Sequence, residues 1–168
     1  MVPAVTSVAV LGNPSSALWD PIWKETVVAA HRLRVELVAA RVTTAEQLEA
    51  VVTGVSQRAQ ALIVVPDAML YGERKRLAEL AKRHRLPSVF ELSDFVEAGG
   101  LLSYGPTLLD QAQRTAVYVD RILRGKKPAD LPVEQPTTFE LAVNLRSAKA
   151  LGLTVPPAIV LRADRVIE

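Results

Sequence analysis

Short apolar, β-branched runs alternate with amphipathic helical patterns along the first hundred residues of this 168-residue chain. The runs predict strands at Val5–Leu11, Val35–Val42, Ala61–Val65 and Ser88–Glu91. The first run is apolar on both faces, which is typical of a central parallel strand covered by helices on each side. Strands separated by helices at this spacing predict βαβ units. The predicted fold class is therefore α/β, with an open parallel sheet flanked by helices on both faces.

The helices between these strands are indicated by their ends and their apolar stripes. Thr43–Gln47 supplies two overlapping capping boxes, and an apolar stripe follows over Leu48–Val55. Glu73–His84 predicts another amphipathic helix, whose apolar face carries Leu77 and Leu80. Its basic residues are interspersed with glutamates, so we interpret them as a solvated helix face and not as a nucleic-acid patch.

The pattern changes after the first hundred residues. Leu101–Ser103 predicts a short strand, and Leu108–Arg124 predicts a helix that Thr107 caps. A linker with three prolines follows at Lys126–Pro136, because proline forbids a continuous helix. Phe139–Val143 predicts a late strand before the terminal segments. Within the helix, Ala112, Ala116, Val119 and Leu123 form a stripe that we expect to be buried.

Composition and motifs exclude several kinds of function. Twenty Lys and Arg against eighteen Asp and Glu give a net charge of +2, and the charges are spread along the chain. This small excess does not indicate a basic surface that binds nucleic acid. The absence of cysteine excludes thiolate nucleophiles and thiolate zinc sites. His31 and His84 stand in charged helical stretches without metal-ligand spacing, and no phosphate loop or nucleophile elbow is present. We therefore predict no catalytic residue, no metal and no cofactor, so the chain is not expected to be an enzyme.

The loops that follow the predicted strands carry hydroxyl, amide and carboxylate groups. In an open parallel sheet, ligands bind outside the carboxyl ends of the strands. The candidate ligand-binding residues at these ends are Asn13, Ser15, Ser16, Asp67, Glu91, Ser103 and Tyr104.

The chemistry of this set suits a zwitterionic small molecule better than a phosphate. Hydroxyls and the N–H groups of a helix N-terminus hold a carboxylate, and Asp67 or Glu91 pairs with an ammonium group. Tyr104 stacks on a flat apolar body. Each residue also has a structural interpretation that stays open: an N-cap for Ser15 or Ser16, a turn for Asp67, an arginine pair for Glu91, and core packing for Tyr104.

Several long stretches of the chain resemble a known family. They are Phe95–Gly105, Arg121–Leu141, Asn144–Pro156 and Arg162–Glu168, and the resemblance runs from about Val2 to the last residue. The chain is similar to ABC-transporter substrate-binding proteins of the tryptophan/tyrosine-uptake type.

This resemblance implies a type I periplasmic-binding-protein fold, in which two α/β lobes close on a small ligand at a hinge. The chain resembles the C-terminal half only. Residues 1–100 resemble the flavodoxin-like second lobe, and residues 101–168 resemble the hinge, a helix and the return segments that pack on the first lobe. The seven candidate residues are then expected to face the cleft. The implied partners are a small organic solute, such as an aromatic amino acid, and an ABC permease.

The helix Leu108–Arg124 would lack its packing surface if the first lobe is absent. We expect it to fold back on the lobe or to form a homodimer with a second copy. The family is periplasmic or extracytoplasmic, whereas Met1–Leu11 shows no export signal, so we expect this chain alone to stay cytoplasmic. The alternative function is a stand-alone intracellular flavodoxin-like regulatory or interaction domain.

Overall fold

A computed structural model describes residues 5–168, so Met1–Ala4, with the start of the predicted lobe, lies outside the described residues. The strands form one seven-stranded sheet in the order β2-β1-β3-β4-β5-β6-β7. They are β1 (Ser7–Gly12), β2 (Glu36–Arg41), β3 (Ala61–Val64), β4 (Ser88–Phe90), β5 (Leu102–Gly105), β6 (Glu140–Asn144) and β7 (Arg165–Ile167).

The helices connect these strands. They are α1 (Trp19–Leu33), α2 (Leu48–Ser56), α3 (Ala68–Gly72), α4 (Arg74–Arg83), α5 (Ser93–Glu97), α6 (Leu108–Leu123), α7 (Leu145–Ala150) and α8 (Pro157–Val160). Of these, α1, α2 and α4 pack against the sheet. Short 3₁₀ turns lie at Ala45–Gln47 and Pro128–Asp130. Between residues 5 and 168, no helix combines the length and the apolar content needed to cross a bilayer.

The predicted α/β architecture is confirmed, and the sheet contains one reversal of strand direction. Strands β1 to β5 pair with one another in parallel. Strand β6 runs antiparallel to β5, and β7 is parallel to β6. The reversal arises because the chain leaves the sheet after Gly105, passes through α6, and returns at the same edge, where Glu140 lies opposite Gly105. The sheet is therefore mostly parallel.

Apolar residues fill both faces of the sheet. The larger core packs α2 and α4 against one face through residues that are wholly buried, among them Leu11, Leu62 and Leu77. On the other face, Trp19 of α1 packs on Val10 and Val65. Because strand residues alternate between faces, the apolar run of β1 supplies both cores. This arrangement fixes the central strands and, with them, the loops at their carboxyl ends.

The helix α6 does not have the buried stripe that its sequence predicts. Thr107 caps it as predicted, with its Oγ1 accepting the N–H of Asp110 at 3.1 Å. However, no residue of α6 is buried, and Leu123 is 81% exposed. The return segment packs on a different side of the helix, where the Tyr118 hydroxyl donates to the Pro132 carbonyl at 2.6 Å. The expectation that α6 folds back on the lobe is therefore wrong, and its pairing with a second copy stays a prediction.

A candidate solute site at the carboxyl edge of the sheet

Four neighbouring parallel strands end at one edge of the sheet. Asn13 follows β1, Asp67 lies beyond β3, Glu91 follows β4, and Tyr104 lies at the end of β5. Because β1, β3, β4 and β5 are parallel, these residues lie on one side of the molecule, as the sequence predicts.

A cavity of about 300 Å³ opens at this edge. Two of the candidate residues, Asp67 and Glu91, lie in its lining. Most of its wall is apolar and comes from the ends of β3 and β4, from α3 and α5, and from the first residue of α6. The apolar wall includes Val65, Pro66, Tyr71, Leu92, Phe95 and Leu108. The arrangement is an apolar pocket with a few polar groups, which is the usual form of a small-molecule site.

Asp67 has a structural role at the start of α3. Its Oδ1 accepts the N–H groups of Met69 at 2.9 Å and Leu70 at 3.2 Å, so it is the N-cap of that helix. Its Oδ2 accepts a hydrogen bond of 3.2 Å from the Asn13 side-chain amide. Asp67 is thus a helix cap, where the structural interpretation from sequence was a turn, and both carboxylate oxygens have protein partners.

Glu91 differs from Asp67 in having a carboxylate without a protein partner. Within residues 5–168, Glu91 makes no side-chain hydrogen bond and no ion pair, so the predicted arginine pair is not found there. Partial burial raises the pKa of the Glu91 carboxyl above its ordinary value. The Gly105 backbone lies close to it: a Cβ at Gly105 would stand 2.5 Å from the Glu91 carbonyl oxygen and 2.6 Å from Glu91 Cγ.

The aromatic residues of the wall contact each other and neighbouring residues. Tyr71 and Phe95 pack edge to face with ring centroids 6.1 Å apart, and Phe95 stacks on Phe90 at 4.5 Å. The Tyr71 hydroxyl donates to Asp94 Oδ1 at 2.9 Å, and this bond is the main reason why the pKa of Tyr71 is raised. The Arg74 guanidinium lies 4.8 Å from the centre of the Tyr71 ring. The hydroxyl is thus engaged, and the ring faces the cavity as an apolar surface.

Sequence reasoning did not select these wall residues. Tyr71 lies one helical turn after the cap Asp67, which places it on the side of α3 nearest the strand ends. Phe95 and Leu108 come from two further elements, so only the folded chain brings the three together. The signal available in the sequence was the position of Tyr71 four residues after Asp67.

The loop after β1 is shaped by its own side chains. Asn13 Oδ1 accepts the N–H of Ser15 at 2.9 Å, and Ser16 Oγ accepts the N–H of Leu18 at 3.3 Å. The helix α1 begins at Trp19, so neither serine is its N-cap. Ser15 is exposed and Ser16 is half-buried. Of the three candidate residues in this loop, Asn13 is hydrogen-bonded to the cavity residue Asp67.

Ser103 and Tyr104 lie on opposite faces of β5. Ser103 is in register with Phe90 and Ala142 and is only 1% exposed, so the structure places it in the core instead of at the cleft. Its hydroxyl has no hydrogen-bond partner among the described residues. Tyr104 is 60% exposed and stacks on Phe139 with ring centroids 5.6 Å apart, so it is not a core residue. Neither residue is part of the cavity wall.

The described residues contain no cluster of three or more histidine, aspartate or glutamate side chains that could hold a metal ion. A family model described as ABC transporter substrate binding protein matches residues 1–167. The chain belongs to this family. Substrate-binding proteins of ABC transporters bind solutes and are not a class of enzymes.

Three solved structures share this fold. A conserved domain protein from Vibrio cholerae has a TM-score of 0.93 at 24% identity, with 98% of this chain and 56% of that chain covered. An ABC domain from Streptococcus pneumoniae in complex with L-Trp has a TM-score of 0.89 at 23% identity, with 97% and 57% covered. At this identity the likeness shows the fold.

A third structure belongs to a substrate-binding protein with adhesive properties from Clostridium difficile, in a ligand-free, open form. Its TM-score is 0.74 at 21% identity, with 98% of this chain and 55% of that chain covered. The 168-residue chain therefore spans little more than half the length of each of the three solved chains. A comparison with curated proteins gives no match.

Proposed function

We propose that this chain supplies one lobe of the solute-binding protein of an ABC importer and holds a small organic solute, such as an aromatic amino acid, without chemistry. The observation that carries the proposal is the cavity at the carboxyl edge of the sheet. It combines an aromatic wall from Tyr71 and Phe95 with the carboxylates Asp67 and Glu91. In this proposal, residues 1–100 form the lobe and residues 101–168 supply the connecting segments.

The size and composition of the cavity support a small solute with a flat body. A volume of about 300 Å³ lies at the lower end of the range for ligand sites, roughly 300–1,000 Å³. Tyr71 and Phe95 meet edge to face, which leaves an aromatic surface against which a planar apolar group packs favourably. The L-Trp complex of the Streptococcus pneumoniae protein has the same kind of solute on a related fold.

Such a protein acts through a change of population between open and closed arrangements. The solute binds this wall and the facing wall of a further lobe together, and thus stabilises the closed form. The permease of the importer recognises that form, so solute and permease are the proposed partners, on the extracytoplasmic side of the membrane. One lobe alone offers one wall, so we expect weak binding.

The test is a ¹⁵N-resolved NMR titration of the 168-residue chain with tryptophan, tyrosine and phenylalanine up to millimolar concentration. We expect saturable shifts at Tyr71, Glu91, Phe95 and Leu108, with tryptophan producing the largest.

A matched pair of substitutions localises the binding. Leu108→Ala removes part of the cavity wall and weakens binding, whereas Leu109→Ala changes the neighbouring side chain, which is 69% exposed and outside the lining, and leaves binding unchanged. Equal titrations of both variants and the natural chain, or no shift at the cavity with any of the three amino acids, would contradict the proposal. The second result favours the alternative of a regulatory or interaction domain.

A further inference from the structure

We infer that Glu91, and not Asp67, is the residue with which this site recognises the charge of its solute, and that the solute carries an ammonium group on a flat apolar body. This inference rests on the proposed function, because it concerns the same cavity. It goes further by assigning different roles to two carboxylates that sequence alone treats as equivalent.

The hydrogen bonds of Asp67 remove it as the recognition group. A carboxylate offers about four acceptor positions, and Asp67 uses three of them for Met69, Leu70 and Asn13. Turning Asp67 towards a solute would break the cap of α3 and the hydrogen bond to Asn13 in the loop after β1. Its negative charge is also partly compensated by the N-terminal end of the helix that it caps.

Glu91 is the carboxylate that remains available. Its oxygens have no partner in the described part of the chain, although the residue is half-buried in the cavity wall. Leaving such a group unpaired is unfavourable, and a cationic solute supplies the missing partner. The side chain also starts from a fixed position, because the Gly105 backbone packs against Glu91 Cγ and the Glu91 carbonyl.

The other groups of the cavity favour the same type of solute. The charged side chains of the lining are both carboxylates, and none of the lining residues is basic. The lining itself therefore offers no cationic partner to an anionic solute, and the carboxylate of Glu91 favours a cationic one. Tyr71 offers no competing polar group because its hydroxyl is bound to Asp94, so its ring and Phe95 contact the apolar body.

The experiment compares three indole compounds on the 168-residue chain and on two isosteric variants, Glu91→Gln and Asp67→Asn. Tryptophan has both charges, tryptamine has only the ammonium group, and indole-3-propionate has only the carboxylate. We expect the natural chain to bind tryptamine and tryptophan about tenfold more tightly than indole-3-propionate, as a charge-assisted hydrogen bond provides. Glu91→Gln abolishes that preference, and Asp67→Asn retains it.

A second measurement uses the natural chain and is independent of how well the variants fold. The side-chain carboxyl ¹³C shift of Glu91 is followed with pH, with and without tryptamine. Bound ammonium lowers the pKa of Glu91.

The outcomes separate the two proposals. If Glu91→Gln keeps the preference, if Asp67→Asn loses it, or if tryptamine binds without affecting the Glu91 titration, the role of Glu91 is wrong and the proposed function stands. If none of the three compounds binds, the proposed function is wrong, and the role of Glu91 is wrong with it.

Discussion

The Asn13 side-chain amide donates a hydrogen bond of 3.2 Å to Asp67 Oδ2 and thereby connects the loops that follow β1 and β3. The other oxygen of the same carboxylate caps α3. One short side chain therefore holds two loops and one helix in a fixed arrangement at the edge of the cavity. Its position depends on the parallel pairing of β1 with β3, which brings residues far apart in sequence together.

Removing the Asp67 carboxylate is expected to destabilise the chain. Asp67→Ala leaves the first N–H groups of α3 without their acceptor and lowers the free energy of unfolding by about 1 kcal/mol. Asp67→Asn keeps a good N-cap and costs less. Urea denaturation of the three chains measures the difference, and equal loss of stability in both variants would show that the cap is not the cause.

The burial of Glu91 predicts a dependence of stability on pH. Its pKa is raised in the folded chain, so the folded state holds the proton more tightly than the unfolded state. The associated stability is present below the unfolded value of 4.5 and is lost as the pH rises through the folded value. Glu91→Gln therefore has a higher melting temperature than the natural chain at pH 7, and the two converge at low pH.

The control for this prediction is Glu79→Gln, at an exposed position of α4. Thermal melts between pH 4 and pH 7 should show a smaller pH dependence for Glu91→Gln than for this control. Parallel curves for the two variants would contradict the prediction.

Two glycines respond to the same substitution in opposite directions. Gly105→Ala places a Cβ within 2.6 Å of the Glu91 carbonyl oxygen and Cγ, and we expect a loss of about 1–3 kcal/mol from overpacking, with weaker solute binding. Gly54→Ala, inside α2 with no atom within 4 Å of the added Cβ, should stabilise the chain by about 0.5–1 kcal/mol. Urea denaturation of both variants measures the two changes in unfolding free energy. Changes of the same sign would contradict the prediction.

The exposure of α6 gives a prediction about two leucines. Leu77 is wholly buried, so Leu77→Ala costs about 2–5 kcal/mol. Leu123 is 81% exposed, so Leu123→Ala changes the stability of one molecule by less than about 0.5 kcal/mol. If copies of the chain pair through α6, Leu123→Asp shifts the mass measured by light scattering towards the monomer. A stability loss at Leu123 as large as that at Leu77 would show that α6 packs on the lobe.

The first six strands could be predicted because each run is short, apolar and bounded by turn residues, whereas β7 (Arg165–Ile167) was not predicted as a strand. Val5–Leu11, for example, matches β1 within two residues at its start and one at its end. The carboxyl-edge location of the candidate residues followed from parallel pairing alone. Ser103 was misplaced because alternation along β5 decides which side chain points inward, and its register with Phe90 is a tertiary property.

The difference between the two carboxylates of the cavity could not be predicted from the sequence for a similar reason. Asp67 and Glu91 each follow a strand, and only their hydrogen-bond partners distinguish them. The wall of Tyr71, Phe95 and Leu108 comes from three helices whose approach depends on packing. The apolar stripe of α6 predicted burial wrongly, because the pattern shows an apolar face and the described chain places no element against it.

Strand β6 enters the sheet beside the strand from which the chain departed, with Glu140 opposite Gly105. The segment between these two residues, which contains α6, therefore leaves the sheet and returns to it at adjacent positions of one edge. Replacing this segment by a two-residue turn is expected to leave each strand with its present neighbours. The strand order is thus expected not to depend on α6, whereas the cavity wall would lose Leu108 together with that helix.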